Sequence, residues 1–205
     1  MKKLILSIFL FVILQNTEAQ QFKGGMMFGF VSSQVAGDGY SGFHKAGLSG
    51  GFFVSLDLNP TSSLQMELHY IQKGSRYNDT TYQEDFQQYL LRLNYVDLPL
   101  IYQYRNKDFL FEAGLSTSFL LSHYEEKEYM ESTYDDWKQV CFNTVFGVRY
   151  FLNEKWIVGV RTSNSINSIR KNEVEGNVYR YNRNKYGEFN DVLQLNLYYQ
   201  FGSLK

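Results

Sequence analysis

Residues Ala46–Leu58 read AGLSGGFFVSLDL, and the two sets of alternate positions in this stretch differ in polarity. The even-numbered positions are almost all apolar, whereas the odd-numbered positions are mostly glycine, serine and aspartate. Successive side chains of a β-strand point to opposite faces of the sheet. The segment is therefore predicted to be a strand with one apolar face and one face of small and polar residues.

Seven further segments resemble this one to different degrees. Four of them alternate cleanly, and these are Leu64–Lys73, Phe109–Leu121, Trp156–Ser165 and Leu193–Phe201. Three alternate less regularly, and these are Phe22–Val35, Tyr89–Tyr104 and Lys138–Phe151. None of the eight shows the 3.6-residue apolar stripe of an amphipathic helix. We therefore predict eight strands.

The fourth segment, Tyr89–Tyr104, has the least regular alternation. We assign Leu91, Leu93 and Tyr95 to its apolar outer face and expect the pattern to slip near Asp97. Because Pro99 cannot donate a ladder hydrogen bond, we predict a bulge or the end of the membrane-embedded stretch at that residue.

The connections between the segments alternate in length. The long ones are polar, namely Ala36–Lys45, Gly74–Gln88, Ser122–Asp136 and Ile169–Asn190, and the short ones are Asn59–Thr61, Arg105–Asp108 and Leu152–Lys155. Transmembrane β-barrels have short periplasmic turns and longer loops on the outside. The pattern therefore predicts both a membrane barrel and its orientation.

Composition and strand length agree with a barrel. Aromatic residues make up 18% of the 205-residue chain, only two residues are proline, and the formal net charge is -1. This charge does not favour nucleic-acid binding. Each segment reaches the ~9–11 residues of a tilted membrane strand, and a sheet in hydrocarbon must close to satisfy its backbone. We predict an all-β fold, an eight-stranded antiparallel up-and-down transmembrane β-barrel.

The N-terminus has the three parts of a secretory signal peptide. Lys2 and Lys3 precede the apolar run Leu4–Leu14, and Thr17-Glu18-Ala19 is a small-x-small cleavage site. A membrane anchor helix is disfavoured because the apolar run is too short to span a bilayer. We expect a cleaved signal peptide over residues 1–19, a barrel domain over residues 20–205, and residence in the outer membrane.

The faces opposite the apolar ones collect ionisable residues of both signs. These are Glu67, His69, Lys73, Arg92, Glu112, Arg149 and Arg161. One interpretation is a structural network of salt bridges that fills the lumen, and the other is a narrow polar conduit or a small-ligand site. We favour the structural network, because eight strands enclose a space just wide enough for side chains.

The residues give no support for catalysis, a metal or a cofactor. Glu67 and His69 share a face, but no nucleophile or metal-ligand set accompanies them. The three histidines lie in different segments, and Cys141, the only cysteine, is expected to be a packed residue. We find no phosphate-binding loop, nucleophile elbow or dinucleotide-binding motif.

The long connections differ in charge. The third is acidic and rich in tyrosine, whereas the fourth is basic. Its basic residues are Arg170, Lys171, Arg180, Arg183 and Lys185. These loops either keep a rim hydrated and pair with each other, or bind a ligand or partner, since Tyr, Trp and Arg are effective contact residues.

Several short motifs together resemble the PorT-like outer-membrane β-barrel family of Bacteroidota. They are Lys23-Gly24-Gly25, the loop Gly37–Gly42, His44–Gly47, the run Glu67–Arg76, Leu93–Leu100 and Phe111–Gly114. The resemblance implies an eight-stranded outer-membrane barrel inserted by the barrel-assembly machinery, with no shared catalytic residues. Some relatives serve in protein secretion and gliding. Members commonly end on the aromatic residue of the last strand, whereas here Gly202–Lys205 follow Phe201.

The sequence therefore predicts a non-enzymatic outer-membrane barrel that acts through its outer loops or in envelope assembly. The alternatives are a small-solute channel and a component of a protein-secretion apparatus. The expected partners are outer-membrane lipids, the barrel-assembly machinery and extracellular or envelope proteins at the outer loops, and not nucleic acid.

Overall fold

The computed structural model describes residues 22–40, 42–78, 88–128, 130–132, 136–171 and 187–204. The proposed signal peptide lies outside these ranges, as do parts of the second, third and fourth long connections. The strands are β1 (Phe22–Ala36), β2 (Lys45–Asn59), β3 (Ser62–Asn78), β4 (Gln88–Asn106), β5 (Phe109–Lys127), β6 (Met130–Glu131), β7 (Val140–Phe151), β8 (Trp156–Ser165) and β9 (Phe189–Leu204). Within the described ranges, no helix is long and apolar enough to cross a membrane.

Eight of these strands form a closed ring. Each long strand pairs antiparallel with the next long strand along the chain, and β9 pairs with β1 to complete the circle. The two-residue strand β6 lies outside the ring and pairs only with the end of β5. The predicted eight-stranded antiparallel up-and-down barrel is therefore confirmed. Within the described residues, each of the eight long strands has a paired neighbour on both sides at the level of the apolar band, as a membrane-embedded sheet requires.

The ring has a short-turn end and a long-loop end, and several strands extend further toward the long-loop end than the sequence indicated. The second and third connections were predicted to begin at Gly74 and Ser122, but β3 continues to Asn78 and β5 to Lys127. The fourth was predicted to last to Asn190, whereas β9 begins at Phe189. Polar residues in these extensions masked their strand character, because a backbone ladder needs no apolar side chains.

The predicted bulge at Pro99 is wrong. β4 keeps one register on both sides of this residue, since Met66 pairs with Leu100 and His69 with Asp97. The irregularity lies instead on β5, where Asn94 pairs with Ser122 and Tyr95 with Leu120, so that one residue of β5 is extra. Pro99 therefore leaves one hydrogen bond of the ladder unmade, but it does not shift the register between the paired strands.

Because β4 does not slip, its alternation keeps the same phase throughout. Leu91, Leu93 and Tyr95 are fully buried inside the barrel, whereas Leu98 and Leu100 are exposed on the outside. The assignment of the first three to the outer face was therefore wrong. The longer stretch of alternation in β4, toward the short-turn end, indicates correctly which of its two faces is the inner one.

The outer surface has an apolar band with an aromatic margin. Exposed side chains in the band include Phe28, Phe52, Leu68, Leu100, Leu115, Phe146 and Leu195. Near the short-turn end, exposed and half-buried aromatic rings contact one another, with centroids 5.3 Å apart for Phe109 and Tyr150 and 4.8 Å apart for Trp156 and Tyr199. Such a band with an aromatic girdle is typical of a barrel surrounded by lipid.

Toward the long-loop end, the band gives way to outward-facing polar groups. The Tyr70 hydroxyl donates to Asn94 Oδ1 over 2.9 Å, and Gln72 Nε2 donates to the Tyr70 hydroxyl over 3.2 Å. Asn94 Nδ2 donates in turn to Ser122 Oγ over 2.9 Å. We call Tyr70, Gln72, Asn94 and Ser122 the polar collar. It indicates where hydrocarbon ends on this side of the barrel.

Side chains fill the interior. The largest apolar cluster, which we call the upper cluster, lies toward the long-loop end and consists of Val31, Val35, Ile71, Tyr89, Leu91, Leu93, Tyr95, Leu120, Trp137, Cys141, Ile169 and Val192. A smaller cluster contains Met27, Phe53, Ile157 and Tyr198. Cys141 is packed within the upper cluster, as predicted. Ionisable and amide side chains occupy the middle of the barrel.

Candidate functional site

Four ionised side chains meet in the middle of the barrel, and we call them the central network. Arg161 places Nη1 and Nη2 each 2.7 Å from a carboxylate oxygen of Glu67, and its Nε lies 2.7 Å from Glu112 Oε1. Arg149 Nη2 lies 3.0 Å from Glu67 Oε1 and 2.6 Å from Glu112 Oε2. The four residues come from β3, β5, β7 and β8 and balance two positive against two negative charges.

The central network is enclosed by further polar and aromatic groups. Gln65 Nε2 donates to Glu67 Oε1 over 2.6 Å, and the guanidinium carbon of Arg149 lies 3.7 Å from the ring centroid of Tyr198. The side chains of Glu67, Glu112, Arg149 and Arg161 are all almost completely buried. Buried charges are tolerated only when they are paired and hydrogen-bonded. The arrangement therefore suits a structural role.

His69 does not complete a catalytic arrangement with Glu67. Its Nδ1 lies 3.5 Å from Glu67 Oε2, which is long for a hydrogen bond, and the imidazole is buried. Glu67 is already engaged by both arginines. Across the described ranges, no group of three or more His, Cys, Asp or Glu side chains is placed to hold a metal ion.

A second buried ion pair lies closer to the long-loop end. Lys73 Nζ contacts Asp97 Oδ2 at 2.8 Å and donates to Ser118 Oγ over 3.0 Å. Lys73 was predicted to face the lumen, whereas Asp97 was not. The signal for Asp97 was the alternation of β4, which, continued without a slip, puts this carboxylate on the inner face.

Arg92 is the one member of the predicted lumen set that does not point inward. Six of the seven residues have buried, inward-facing side chains, whereas Arg92 is exposed on the outside of β4. It pairs with Gly74 of β3, and its guanidinium carbon lies 5.7 Å from the ring centroid of Tyr124. This prediction was wrong for the same reason as for Leu91 and Leu93, namely the inverted phase of β4.

At the long-loop end, Arg170 joins residues from two connections in a cluster that we call the cap. Its guanidinium contacts Glu125 Oε1 and Asp136 Oδ1 at 2.7 Å and Glu188 Oε2 at 2.8 Å. The guanidinium carbon also lies 3.9 Å from the ring centroid of the fully buried Trp137. The expectation that the acidic third and basic fourth loops pair with each other therefore holds for these residues.

Burial and charge act against each other in the cap. Burial disfavours the charge on Arg170, but Glu188 and the hydrogen bonds to all three carboxylates outweigh it, so that its pKa is raised. Burial also raises the pKa of Glu188, and Arg170 offsets only part of that effect. Backbone contacts support the same geometry, since Lys138 N donates to Ile169 O over 2.8 Å and Lys171 N to Asp136 O over 2.6 Å.

The first long connection packs against the cap through aromatic rings. Tyr40 stacks between Tyr77 and Tyr89, with centroid distances of 4.9 Å and 4.6 Å. The Tyr89 hydroxyl then donates to Glu125 Oε1 over 3.0 Å. The described parts of the long connections therefore form one continuous structure over the upper cluster, which sequence reasoning did not foresee.

The short-turn end is more open. A concavity of about 640 Å³ lies there, and its lining includes Ser63, Gln65, Gln103 and Arg149. These residues border the central network, so the concavity ends on buried ion pairs. At its outer edge, Lys23 Nζ contacts Asp57 Oδ2 at 2.6 Å.

A closed antiparallel barrel with an apolar outer band and an interior filled by side chains, polar at its middle, defines an integral membrane β-barrel. Comparison with protein families gives the same class in more detail. The chain matches the outer membrane protein beta-barrel domain family over residues 15–171, which is well over half of its length. The chain belongs to this family, and this membership implies residence in the outer membrane.

Solved structures show the same fold. Ail, the attachment invasion locus protein of Yersinia pestis, in complex with the heparin analogue sucrose octasulfate, matches with a TM-score of 0.53 and 9% identity, covering 88% of this chain and 99% of Ail. Neisserial surface protein A matches with a TM-score of 0.50 and 12% identity, covering 88% of this chain and 97% of that protein. None of the curated proteins compared with the chain is significantly similar to it in sequence.

Proposed function

We propose that this outer-membrane barrel is non-enzymatic and non-conducting, and that it acts through its long-loop end, by contact with a partner or in envelope assembly. The observation that carries the proposal is the filled interior. From the central network to the cap, the described side chains leave the barrel occupied first by ion pairs and then by the upper cluster.

The upper cluster is the main argument against a small-solute channel. A water-filled conduit needs a continuous polar lining, whereas this level of the barrel is filled by twelve buried residues that are almost all apolar. Reconstitution of the purified protein in planar bilayers is expected to give no reproducible conductance steps. Steps whose ion selectivity changes in Glu67→Gln would contradict the proposal and favour the channel.

The cap supports a role in contact. Charged and aromatic groups at the rim are held by Arg170 and by the Tyr40 stack, and a preorganised surface binds at a lower entropic cost than a mobile one. The Ail structure is a complex with a heparin analogue, so a barrel of this fold can hold a ligand. At 9% identity, no ligand is carried over to this chain.

The proposal includes an orientation of the barrel in the membrane. The long loops lie outside the cell, and both ends of the barrel domain lie in the periplasm. In a Cys141→Ser background, Glu128→Cys marks the long-loop end and Lys107→Cys the short-turn end. A membrane-impermeant maleimide added to intact cells is expected to label only Glu128→Cys. Labelling of Lys107→Cys alone would invert the orientation. N-terminal sequencing of the mature protein is expected to begin at Gln20.

Partner capture tests the function itself. A photo-cross-linking amino acid at position 128 is expected to give a discrete adduct in intact cells, and the same amino acid at position 107 is the matched control. Adducts only from position 107 would place the interaction at the other end. Depletion of the barrel-assembly machinery is expected to reduce the folded form of the protein in the outer membrane.

We also propose that the chain is a PorT-like protein. The resemblance rests on the motifs around Gly37–Gly42, Glu67–Arg76 and Leu93–Leu100. A secretion role would follow from it, and deletion of the gene distinguishes this alternative from the leading one. Loss of extracellular protein export would favour the secretion role, whereas normal export together with a captured partner at position 128 would favour surface contact.

A further inference from the structure

The seam between β2 and β3 opens toward the long-loop end. Their backbone pairing stops at Ser49 and Ile71, although β2 reaches Lys45 and β3 reaches Asn78. Just past that point, the Leu48 amide donates instead to the side chain of Gln72, over 3.2 Å to its Oε1. A notch of about 590 Å³ lies here, on the outside of the barrel.

Three cations line the notch. They are Lys45 of β2, Arg76 of β3 and Arg92 of β4, accompanied by a single carboxylate, Glu126 of β5. Among the residues that the structure describes, none of the three cations has a carboxylate within 4 Å. Glu126 itself accepts a 2.6 Å hydrogen bond from the Tyr124 hydroxyl. The notch therefore carries an excess of positive charge.

Lys45 is the most informative of these residues. It is only 8% exposed, and its ammonium group donates to the carbonyl of Ala46 over 2.7 Å. An ammonium has three donors, so this bond leaves further capacity. A buried cation without a counter-charge is costly. An anion in the notch would offset this cost.

The position of the notch indicates which kind of anion would reach it. Gln72 belongs both to the notch and to the polar collar, and beneath it Leu48 and Leu68 are more than half exposed on the apolar band. A lipid whose acyl chains lie against the band therefore has its headgroup at the height of the notch. Arg92 has space beside it, because its partner across the ladder is Gly74, which has no side chain.

We propose that the notch binds the phosphate-bearing headgroup of a membrane lipid in the leaflet at the long-loop end. Arg76 and Arg92 would each donate to phosphate oxygens, and Lys45 would supply the buried charge, as cations between membrane-protein elements do for anionic headgroups. On the proposed orientation, this leaflet is the outer one. The binding itself does not depend on that orientation.

The test uses the full mature chain in nanodiscs of phosphatidylcholine containing a few per cent of a bis-phosphorylated glycolipid. The double variant Arg76→Gln, Arg92→Gln is compared with Lys107→Gln, Lys155→Gln, which removes the same charge at the short-turn end. Each cation near an anionic surface contributes about five-fold to affinity, so we expect about a thirty-fold loss for the notch variant and less than two-fold for the control. Glu126→Gln is expected to strengthen binding.

A heat-modifiable gel shift checks that every variant is folded. Equal losses in the two double variants would overturn the proposal, since they would show non-specific attraction of the headgroup. Inorganic phosphate provides the second arm. If it competes with the glycolipid at equal affinity and the acyl chains add nothing, the notch binds a soluble anion and the lipid proposal fails. If the glycolipid binds much more tightly than inorganic phosphate does, the lipid proposal is supported.

Discussion

Two levels of this barrel have opposite polarity, and strand β4 passes through both. At the level of the apolar band, Leu98 and Leu100 face outward while Asp97 faces inward. Nearer the long-loop end, Arg92 faces outward while Leu91 and Leu93 face inward. The backbone alternation is the same at both levels, so the inversion is one of side-chain chemistry only.

The inversion follows from the medium outside the barrel. Where hydrocarbon surrounds the sheet, polar side chains must turn inward and satisfy one another, as in the central network. Beyond the polar collar, the surroundings are aqueous, so the strand can follow the rule of soluble proteins, with apolar residues inside. Alternation therefore identifies two faces, but the surrounding medium decides which of them is the inner one.

The largest expected effect comes from the inner face of the membrane level. Arg161→Met leaves Glu67 and Glu112 buried with Arg149 as their remaining cation. Breaking a buried ion pair costs about 3–5 kcal/mol, and we expect the free energy of unfolding in lipid vesicles to fall by this amount. Urea titration followed by gel shift measures it.

The matched control for that experiment restores charge balance. Glu67→Gln combined with Arg161→Met leaves Glu112 with Arg149, so the double variant is expected to lose less stability than the sum of the single variants. Residues in contact typically show coupling of about 0.5–3 kcal/mol. Strict additivity would mean that the two side chains do not stabilise each other.

The outer faces of the two levels can be compared on one strand. Arginine on the lipid face costs roughly 2–4 kcal/mol near the bilayer centre and about 0–1 near the interface. We therefore expect Leu100→Arg to lower the free energy of unfolding by the larger amount and Leu90→Arg by the smaller. Equal losses at both positions would show that the collar does not mark the edge of the hydrocarbon.

The cap gives a smaller and more local effect. Arg170→Gln removes the contacts to Glu125, Asp136 and Glu188, and hydrogen bonds to charged groups contribute about 1.5–3 kcal/mol. We expect faster hydrogen exchange at amides 137–141, with little change at the short-turn end. Arg105→Gln, which alters an exposed guanidinium there, is the control. Unchanged exchange at 137–141 would mean that the cap does not stabilise the loops.

The smallest effect is a dependence of the cap on pH. The raised pKa of Glu188 means that the folded cap binds a proton more readily than the unfolded chain does. Its contribution to stability is therefore complete below the ordinary pKa of 4.5 and is lost as the pH rises through the raised value. The protection of amides 137–141 is expected to fall over this range in the wild type and less in Glu188→Gln. Identical profiles would exclude the carboxylate as the cause.

Six of the seven residues predicted for the lumen have buried side chains, and Arg92 shows why the seventh does not. Glu67, Glu112, Arg149 and Arg161 lie in segments whose apolar face is surrounded by lipid, so their alternation was read in the right phase. Arg92 lies beyond the collar, where the same rule gives the opposite answer. Asp97 was missed for a different reason, because the slip expected near Pro99 concealed that this carboxylate faces inward.

The cap and the notch could not be predicted from the pattern of residues in the sequence. Opposite charges in the third and fourth connections suggested pairing, but only the folded chain brings Arg170 to Glu125, Asp136 and Glu188 at once. Likewise, nothing in the sequence marks where the ladder between β2 and β3 ends. Both features depend on contacts between residues far apart in the chain.

The sequence by itself determined the number of strands, their order and the closure of the sheet, because side-chain alternation and connection length are local properties of a chain. Only the tertiary structure decided which face of β4 is inner, how far the strands extend beyond the band, and which loop charges meet. The physical reason is that burial depends on the assembled barrel and on the medium around it. The same alternation places apolar side chains on the outside where lipid surrounds the barrel and on the inside where water does.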